Sequence, residues 1–191
     1  MAAAHHGLLP KLLGPATWEI YSHRGRDDLL RKLPKRFRTY RRTVQSGWLV
    51  LVLIDRDRHD CVDIKQKLEQ AAAVAGLTTH SSAGGGAFNV VNRIAIEELE
   101  AWYFGDWAAV RKAYPRVPAR VYTRARFRDP DAITGGTWEA FEQIMQEAGY
   151  FPGGLAKVEA ANQIAPHMDP ARNTSRSFQV FRDALLEAAA A

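Results

Sequence analysis

Residues 48–60 read WLVLVLIDRDRHD, seven apolar residues followed at once by a run rich in charge. An apolar stretch without polar alternation is typical of a strand covered on both faces, as in a parallel sheet. Asp55 and Asp57 come directly after this stretch, and their side chains lie on the same side of an extended chain. Because ligands of open parallel sheets bind beyond the carboxyl ends of the strands, the stretch predicts a fold and a site together.

Strands and helices alternate on both sides of this segment. The predicted order is helix 2–13, strand 17–22, helix 26–42 with a kink or break at Pro34, strand 48–54, helix 62–75, short strand 78–82, strand 88–96, helix 97–104 and helix 107–114. A long loop at 119–136 and three helices, at about 137–148, 154–166 and 175–190, complete the prediction. Such alternation predicts an α/β fold with a mostly parallel sheet and helices on both faces, here a core over 1–114 with C-terminal helices packed on it over 115–191.

The composition excludes several classes of protein. The chain has 191 residues, of which 47% are hydrophobic and 25% charged, as in ordinary globular proteins. Its longest apolar run is far shorter than the roughly 20 residues that span a bilayer, and its N-terminus lacks the basic region of a signal peptide. The single cysteine, Cys61, excludes an internal disulfide and a cysteine-rich zinc site. We therefore expect a cytoplasmic protein that makes no membrane contact.

Positive charge is concentrated near the N-terminus. Residues 1–45 contain ten Lys or Arg and three acidic residues, whereas the whole chain carries a net charge of +5. Seven of these cations lie on the predicted helix at 26–42: Arg31, Lys32, Lys35, Arg36, Arg38, Arg41 and Arg42. A basic helix of this kind either binds a polyanion such as nucleic acid or simply keeps the protein solvated, and charge alone leaves both interpretations open.

A second acidic group follows the predicted strand at 88–96, and it consists of Glu97, Glu98 and Glu100. If this strand neighbours the one at 48–54, the carboxylates of both segments converge on one crevice. Two like charges about 4 Å apart repel by about 4 kcal/mol at an effective dielectric constant of about 20, so such a cluster favours bound cations. Carboxylate oxygens are the ligands that Mg²⁺ and Mn²⁺ prefer.

Plainer interpretations of these acids stay open. An aspartate at the end of a buried strand often caps the next helix, or it pairs with an adjacent arginine such as Arg56 or Arg58. The three glutamates fit equally well as solvent-facing residues in the first turn of a helix, where acids are favoured by the helix dipole.

Six stretches closely resemble a bacterial family known as a domain of unknown function. They are VLIDRDRHDC, NRIAIEELEAWYFGD, YPRVPA, RDPDAITGGTWEA, GGLAKVEAANQIAPHMDPARN and SFQVFRDAL. The resemblance covers nearly the whole chain, and the family is similar to the Toprim fold of topoisomerases, primases and OLD-type nucleases. It implies a Toprim-like, mostly parallel sheet flanked by helices over residues 1–114, with a C-terminal helical extension.

The resemblance also implies an activity, a Mg²⁺- or Mn²⁺-dependent phosphodiesterase or nuclease. Asp55 and Asp57 match the Asp-x-Asp that binds magnesium in Toprim-like proteins. Glu97 or Glu98 matches a further acidic position, as a supplementary ligand or general base, and Lys157 matches a basic residue near the scissile phosphate. Relatives lie beside ATPase genes of defence-like operons, which implies a nuclease effector with an ATPase partner.

The N-terminus departs from the family pattern. Relatives begin with an extra strand and an acidic turn ahead of the helix that aligns with residues 2–13, whereas this chain begins inside that helix. A missing strand would leave sheet edges unpaired, so we expect a start assigned too far downstream. If the strand and its glutamate are truly absent, the expected function is instead a non-catalytic Toprim-like module that docks on an ATPase or on nucleic acid.

Overall fold

The computed structural model describes residues 2–43, 47–56, 60–95 and 99–190. Within these ranges the protein is a mixed α/β fold of eight α-helices and two strands, with four single-turn 3₁₀ helices. The helices and strands are α1 (Ala2–Leu13), α2 (Arg26–Thr43), β1 (Val50–Asp55), α3 (Cys61–Val74), β2 (Val90–Ala95), α4 (Glu100–Gly105), α5 (Trp107–Ala113), α6 (Thr137–Glu147), α7 (Lys157–Ile164) and α8 (Arg176–Ala190). No helix in the described ranges is long and apolar enough to cross a membrane.

The chain divides into two compact units. Tyr21–Ala95 form one, here called the sheet unit, while Met1–Ile20 and Ile96–Ala189 together form the other, the helical unit. The sequence-based division, a Toprim-like core over 1–114 and C-terminal helices over 115–191, stays a prediction.

The sheet unit is built on a pair of parallel strands. β1 and β2 run side by side in a register that pairs Val50 with Val90 and Asp55 with Ala95, and α3 makes the connection between them. The predicted short strand at 78–82 is reduced to one parallel bridge between Thr79 and Val90. The α/β class and the parallel pairing that the sequence predicts are therefore confirmed.

Two helices cover the sheet with apolar residues. Leu33 and Phe37 of α2 are buried, and they belong to one cluster with residues of α3, β1 and β2. That cluster also contains Val52, Ile54, Ile64, Leu68, Ala72, Leu77 and Val90. α2 continues through Pro34 without a break, so of the two predicted outcomes the split is wrong and the kink stays a prediction. Proline removes one backbone hydrogen bond, and the buried neighbours on both sides of it keep the helix in place.

Two further sequence expectations about strands are wrong. Residues 17–22 form no strand in the described structure, although exposed and half-buried residues alternate from 17 to 21. β1 starts at Val50 rather than at Trp48, whose surface is 57% exposed. Only Val52 and Ile54 of β1 are buried, and the residues that alternate with them are half-buried, so one face of β1 is covered more completely than the other.

A polar network ties α3 to β2 beside this core. Glu69 receives hydrogen bonds from Thr79 and, over 3.1 Å, from the side chain of Asn92, and its Oε1 lies 2.8 Å from Lys65 Nζ. Burial raises the pKa of Glu69, but the hydrogen bonds from Lys65, Thr79 and Asn92 outweigh it and hold that pKa below its ordinary value. Glu69 therefore stays charged and fastens its helix to the strand.

The helical unit has an aromatic core. Trp102 packs against Phe178 and Phe181 of α8, and its indole nitrogen donates a 3.0 Å hydrogen bond to Ser177. Phe104 stacks on Phe127, with their ring centroids 5.2 Å apart and their planes at 8°. These contacts join α4 to α8 and to the loop that precedes α6, so residues far apart in the chain share one core.

A buried aspartate organises one corner of this unit. Asp106 caps α5 by accepting a hydrogen bond from Ala109 N, and its side chain is 0% exposed. The guanidinium of Arg172 donates to both carboxylate oxygens of Asp106, over 2.8 and 3.0 Å, and Asp169 N donates over 2.7 Å. The hydrogen bonds to Asp106 raise the pKa of Arg172 further above its ordinary value.

Candidate functional site

The two strands end level with each other at the edge where the sequence predicts a metal site. Asp55 pairs with Ala95 in the register, and Arg56 N donates a 3.0 Å hydrogen bond to the carbonyl of Ala95. The condition for convergence, that the two strands are neighbours, is therefore met. The Asp55 residue as a whole is half-buried, whereas its Oδ1 atom is completely buried.

Three of the other acids of this prediction, Asp57, Glu97 and Glu98, lie outside the described residues. Asp57 follows Asp55 by two positions, and Glu97 and Glu98 follow β2 within three positions. Among the described residues, no group of three or more His, Cys, Asp or Glu side chains is arranged to hold a metal ion. Carboxylate donors suit Mg²⁺ or Mn²⁺ chemically, and their assembly into a site depends on these three residues.

The residue that caps α3 excludes one alternative role for Asp55, that of capping this helix. Asp60 is the N-cap residue, and its Oδ1 accepts a 2.7 Å hydrogen bond from Val62 N. An aspartate at the N-cap satisfies a backbone donor that the helix leaves unpaired. Since Asp60 fills that position, Asp55 is not the residue that caps the helix after β1.

The seven predicted nucleic-acid-binding residues all lie on α2, but they are not equivalent. The carboxylate oxygens of Asp28 lie 2.6 Å from Arg31 Nη2 and 2.7 Å from Lys32 Nζ, so one carboxylate offsets two of the cations. Hydrogen bonds to Asp28 from Lys32, from the backbone of Arg24 and from Arg31 hold its pKa well below the ordinary value. The spacings of three and four residues that create these pairs are visible in the sequence. They are the signal from which this neutralisation could have been predicted.

Arg36 is also engaged inside the sheet unit. Its guanidinium lies 4.9 Å from the ring centroid of Tyr21 and donates a 3.3 Å hydrogen bond to the hydroxyl of Tyr40. Unlike the other six cations, Arg36 is half-buried. Arg36 therefore holds the Tyr21 ring against α2 and pairs with Tyr40 one turn further along the helix.

An exposed stripe remains on α2. Arg31, Lys35, Arg38 and Arg42 follow one another at intervals of four, three and four residues, which places them on one helix face over about 16 Å. Within the described part of the chain, no carboxylate pairs with Lys35, Arg38, Arg41 or Arg42. Three members of this stripe, Lys35, Arg38 and Arg42, have no described carboxylate partner, and their position opposite a buried helix face suits contact with phosphates.

Lys157 lies beside another member of the acidic group. It begins α7, and its Nζ atom is 3.5 Å from Glu100 Oε1 and 4.7 Å from the ring centroid of Trp138. The side chain of Glu100 is only 6% exposed, so the solvent-facing interpretation is wrong for this glutamate. Both residues stand out separately in the sequence, but their pairing depends on tertiary structure and has no sequence signal.

Comparison with known protein families identifies the family of this chain. The fold defines a mixed α/β protein with a parallel strand pair and acidic segments after both strands. The chain belongs to the family described as "Domain of unknown function (DUF4276)", whose model matches residues 1–186. No curated protein and no solved structure matches it significantly. The resemblance to a domain of unknown function is thereby confirmed, and the relation to the Toprim fold stays a prediction.

Proposed function

We propose that this protein is a Mg²⁺- or Mn²⁺-dependent phosphodiesterase that cleaves nucleic acid. The observation that carries the proposal is the level ending of two parallel neighbouring strands, each followed by acidic residues. The carboxyl edge of a parallel sheet is where α/β proteins place their ligands. A finer assignment, to the Toprim-like nucleases, rests on the Asp-x-Asp formed by Asp55 and Asp57.

Each residue has a distinct part in this proposal. Asp55 and Asp57 offer carboxylate oxygens to the metal, and Glu97 or Glu98 adds a ligand or accepts a proton from the attacking water. A divalent ion so held supplies Lewis-acid stabilisation of the phosphate and an activated water. Lys157 offsets phosphate charge, and Glu100 Oε1, 3.5 Å from Lys157 Nζ, orients its ammonium group.

The stripe on α2 binds the polyanion in this scheme. Lys35, Arg38 and Arg42 are exposed and can contact backbone phosphates without breaking an ion pair with a described carboxylate. Phosphate contacts of this kind are independent of sequence and weaken with salt. The ATPase partner and the defence setting that the family resemblance implies remain predictions beside this proposal.

The test is cleavage of labelled oligonucleotides with Mg²⁺ or Mn²⁺ by the wild type and by Asp57→Asn. Losing a metal ligand removes several kcal/mol of transition-state stabilisation, so we expect a rate loss of about 10³-fold or more. Asp63→Asn is the matched control, because Asp63 is an exposed aspartate paired only with Lys67 on the surface of α3. Equal cleavage by the wild type and Asp57→Asn would remove the proposal.

Calorimetric titration with Mn²⁺ separates binding from chemistry. The wild type and Asp63→Asn should release heat, and the Asp55→Asn/Asp57→Asn double variant should not. If the wild type binds no Mn²⁺ and cleaves nothing, the proposal fails, and the alternative, a non-catalytic module that docks on an ATPase or nucleic acid, takes its place.

A further inference from the structure

The loop between α5 and α6 concentrates positive charge. Residues 116–128, here called the arginine loop, contain five arginines and no acidic residue. Like charges at this density repel each other, so the protein must either use the arginines internally or present them to an anion. The two possibilities can be separated arginine by arginine.

Two of the five have internal roles. Arg116 donates a 2.9 Å hydrogen bond to the carbonyl of Gly149, and its guanidinium lies 4.1 Å from the ring centroid of Tyr150. Arg126 donates a 3.0 Å hydrogen bond to the carbonyl of Thr134. These contacts join the two ends of the loop to the helical unit, and they account for only these two arginines.

The other three arginines face solvent. Arg120, Arg124 and Arg128 are exposed, and no carboxylate in the described part of the chain pairs with any of them. Tyr122 lies between the first two in sequence, and its surface is 52% exposed. An exposed ring flanked by unpaired cations contributes nothing to the core, so packing does not explain these four residues.

The backbone of the loop is nevertheless held firmly. Val121 is 1% exposed and Phe127 6%, and the Phe127 ring stacks on Phe104 in the aromatic core. Two single-turn 3₁₀ helices, Val121–Thr123 and Ala125–Phe127, shape the chain between these anchors. Anchoring of this kind presents side chains with less conformational entropy to lose when a ligand binds.

A small recess adjoins the loop. Arg124 and Arg126 border a cavity of about 220 Å³, together with Phe127 and with Ile144 of α6. Phe127 and Ile144 are buried and give the recess apolar walls, while Gln143 and Glu147 add polar groups. Cations beside an apolar recess and an exposed ring are the combination that unstacked bases use.

We infer that the arginine loop binds single-stranded nucleic acid, with Arg120, Arg124 and Arg128 on phosphates and Tyr122 stacked on a base. This inference rests on the proposed function for its class of ligand, and it does not depend on the metal chemistry. An acidic peptide would engage the cations without needing the ring. A duplex, whose bases are already stacked, would likewise leave Tyr122 unused.

The test is fluorescence anisotropy of a labelled oligothymidine of about a dozen nucleotides, measured with the full chain in EDTA. We expect Arg120→Gln/Arg124→Gln/Arg128→Gln to weaken binding at least tenfold at low salt. Each lost phosphate contact lowers the slope of log K against log salt by about 0.7, so the triple variant should lose about 2 from that slope.

A matched triple variant controls for net charge. Arg111→Gln/Lys112→Gln/Arg176→Gln removes three exposed cations of the same unit and should leave the affinity within about twofold of the wild type. Equal losses in the two triple variants would overturn the inference, because bulk charge would then explain the binding. Unchanged urea midpoints show that both variants are folded.

Tyr122 supplies the second, independent arm. Tyr122→Ala should weaken single-strand binding roughly tenfold, Tyr122→Phe should retain it, and neither should change duplex binding. Equal affinity of Tyr122→Ala and the wild type for the single strand would overturn the stacking. If the protein binds the oligonucleotide in EDTA but cleaves nothing with Mg²⁺, only the proposed function is overturned. If the protein cleaves nucleic acid and the loop variants bind it as tightly as the wild type does, only this inference is overturned.

Discussion

The environment of each aspartate decides what its carboxylate does. Asp106 is completely buried and satisfied by a guanidinium and two backbone N–H groups, so it acts as a structural centre. Asp28 lies at the first turn of α2, where it gathers cations that the sequence had assigned to nucleic acid. Nothing in the sequence distinguishes the roles of these two aspartates, and only their partners in the structure show that the roles differ.

Asp106→Ala should destabilise the protein by about 3 kcal/mol, because it leaves the Arg172 guanidinium and buried backbone donors without their acceptor. Urea denaturation measures the change. Asp183→Ala is the control, since Asp183 is 57% exposed and pairs with Arg182 at the surface, a contact worth less than about 1 kcal/mol. Similar losses in both variants would show that burial of Asp106 is not the cause.

Asp28→Asn should change how stability depends on pH. The folded-state pKa of Asp28 is depressed, so its contribution is present above the unfolded pKa of about 3.9 and is lost as the pH falls toward the folded value. The difference in urea midpoint between wild type and variant should therefore shrink as the pH falls below about 4. Asp27→Asn, at a neighbouring side chain that is 86% exposed, is the control. A difference that stays constant down to pH of about 2 would contradict this assignment.

At the scale of elements, α1 approaches a 3₁₀ helix of its own unit unusually closely. A Cβ atom added at Gly7 would lie 2.6 Å from the Cβ of Ala165 and 3.0 Å from its carbonyl carbon. The glycine therefore permits the helix to pack where any side chain would collide. Its helix-weakening effect, about 1 kcal/mol relative to alanine, is offset by this close contact.

Gly7→Ala should destabilise the protein by about 1–3 kcal/mol despite its better helix propensity. Ala165→Gly removes the colliding atom, so the Gly7→Ala/Ala165→Gly double variant should recover most of the lost stability. A double-mutant cycle of urea unfolding free energies measures this coupling. If Gly7→Ala alone stabilises the protein, the approach is looser than described.

Helix positions could largely be predicted from sequence. α3 begins within one residue of the prediction and ends just before Gly76. The φ of Gly76 is +71°, a conformation that is common after a helix and that few residues other than glycine adopt. α6 and α8 likewise match the predicted ranges 137–148 and 175–190 closely. Apolar spacing, a capping aspartate and a terminal glycine are local signals, and local signals suffice for helices.

Strands and side-chain partners could not be predicted equally well. The alternation in residues 17–22 is real, but a strand also needs a neighbour, and the local pattern does not say whether one exists. The pairing of Lys157 with Glu100 depends on how α7 packs beside α4, which no short stretch encodes. For the metal site, the sequence predicted the edge of the sheet correctly, while the ligand set stays a prediction.

At the scale of the whole molecule, the helical unit is assembled from two separate parts of the chain. α1 contributes the buried residues Leu8, Leu9 and Leu12 to it, and Lys11 donates hydrogen bonds of 2.7–3.2 Å to three carbonyls of residues 165–168. The sheet unit lies between these two parts in sequence. The integrity of the helical unit therefore depends on a helix encoded far from the rest of it.

A truncated chain that starts at Ala16 should lose the packed state of the helical unit. Its near-UV circular dichroism, which reports the fixed environment of Trp102 and its neighbours, should fall sharply while far-UV helix signal persists. Leu8→Ala provides a milder counterpart, with an expected loss of about 2–5 kcal/mol at this fully buried site. A native near-UV spectrum for the truncated chain would show that α1 is dispensable.

The interruption of the helical unit by the sheet unit also sets an order of events during synthesis. α1 leaves the ribosome before the sheet unit, whereas its contact near Ala165 is translated only after that unit. Tyr21–Ala95 can fold in the meantime, whereas the leucines of α1 stay exposed to solvent or to chaperones. Translation speed and chaperone supply should therefore influence the yield of native protein more strongly than its equilibrium stability alone would suggest.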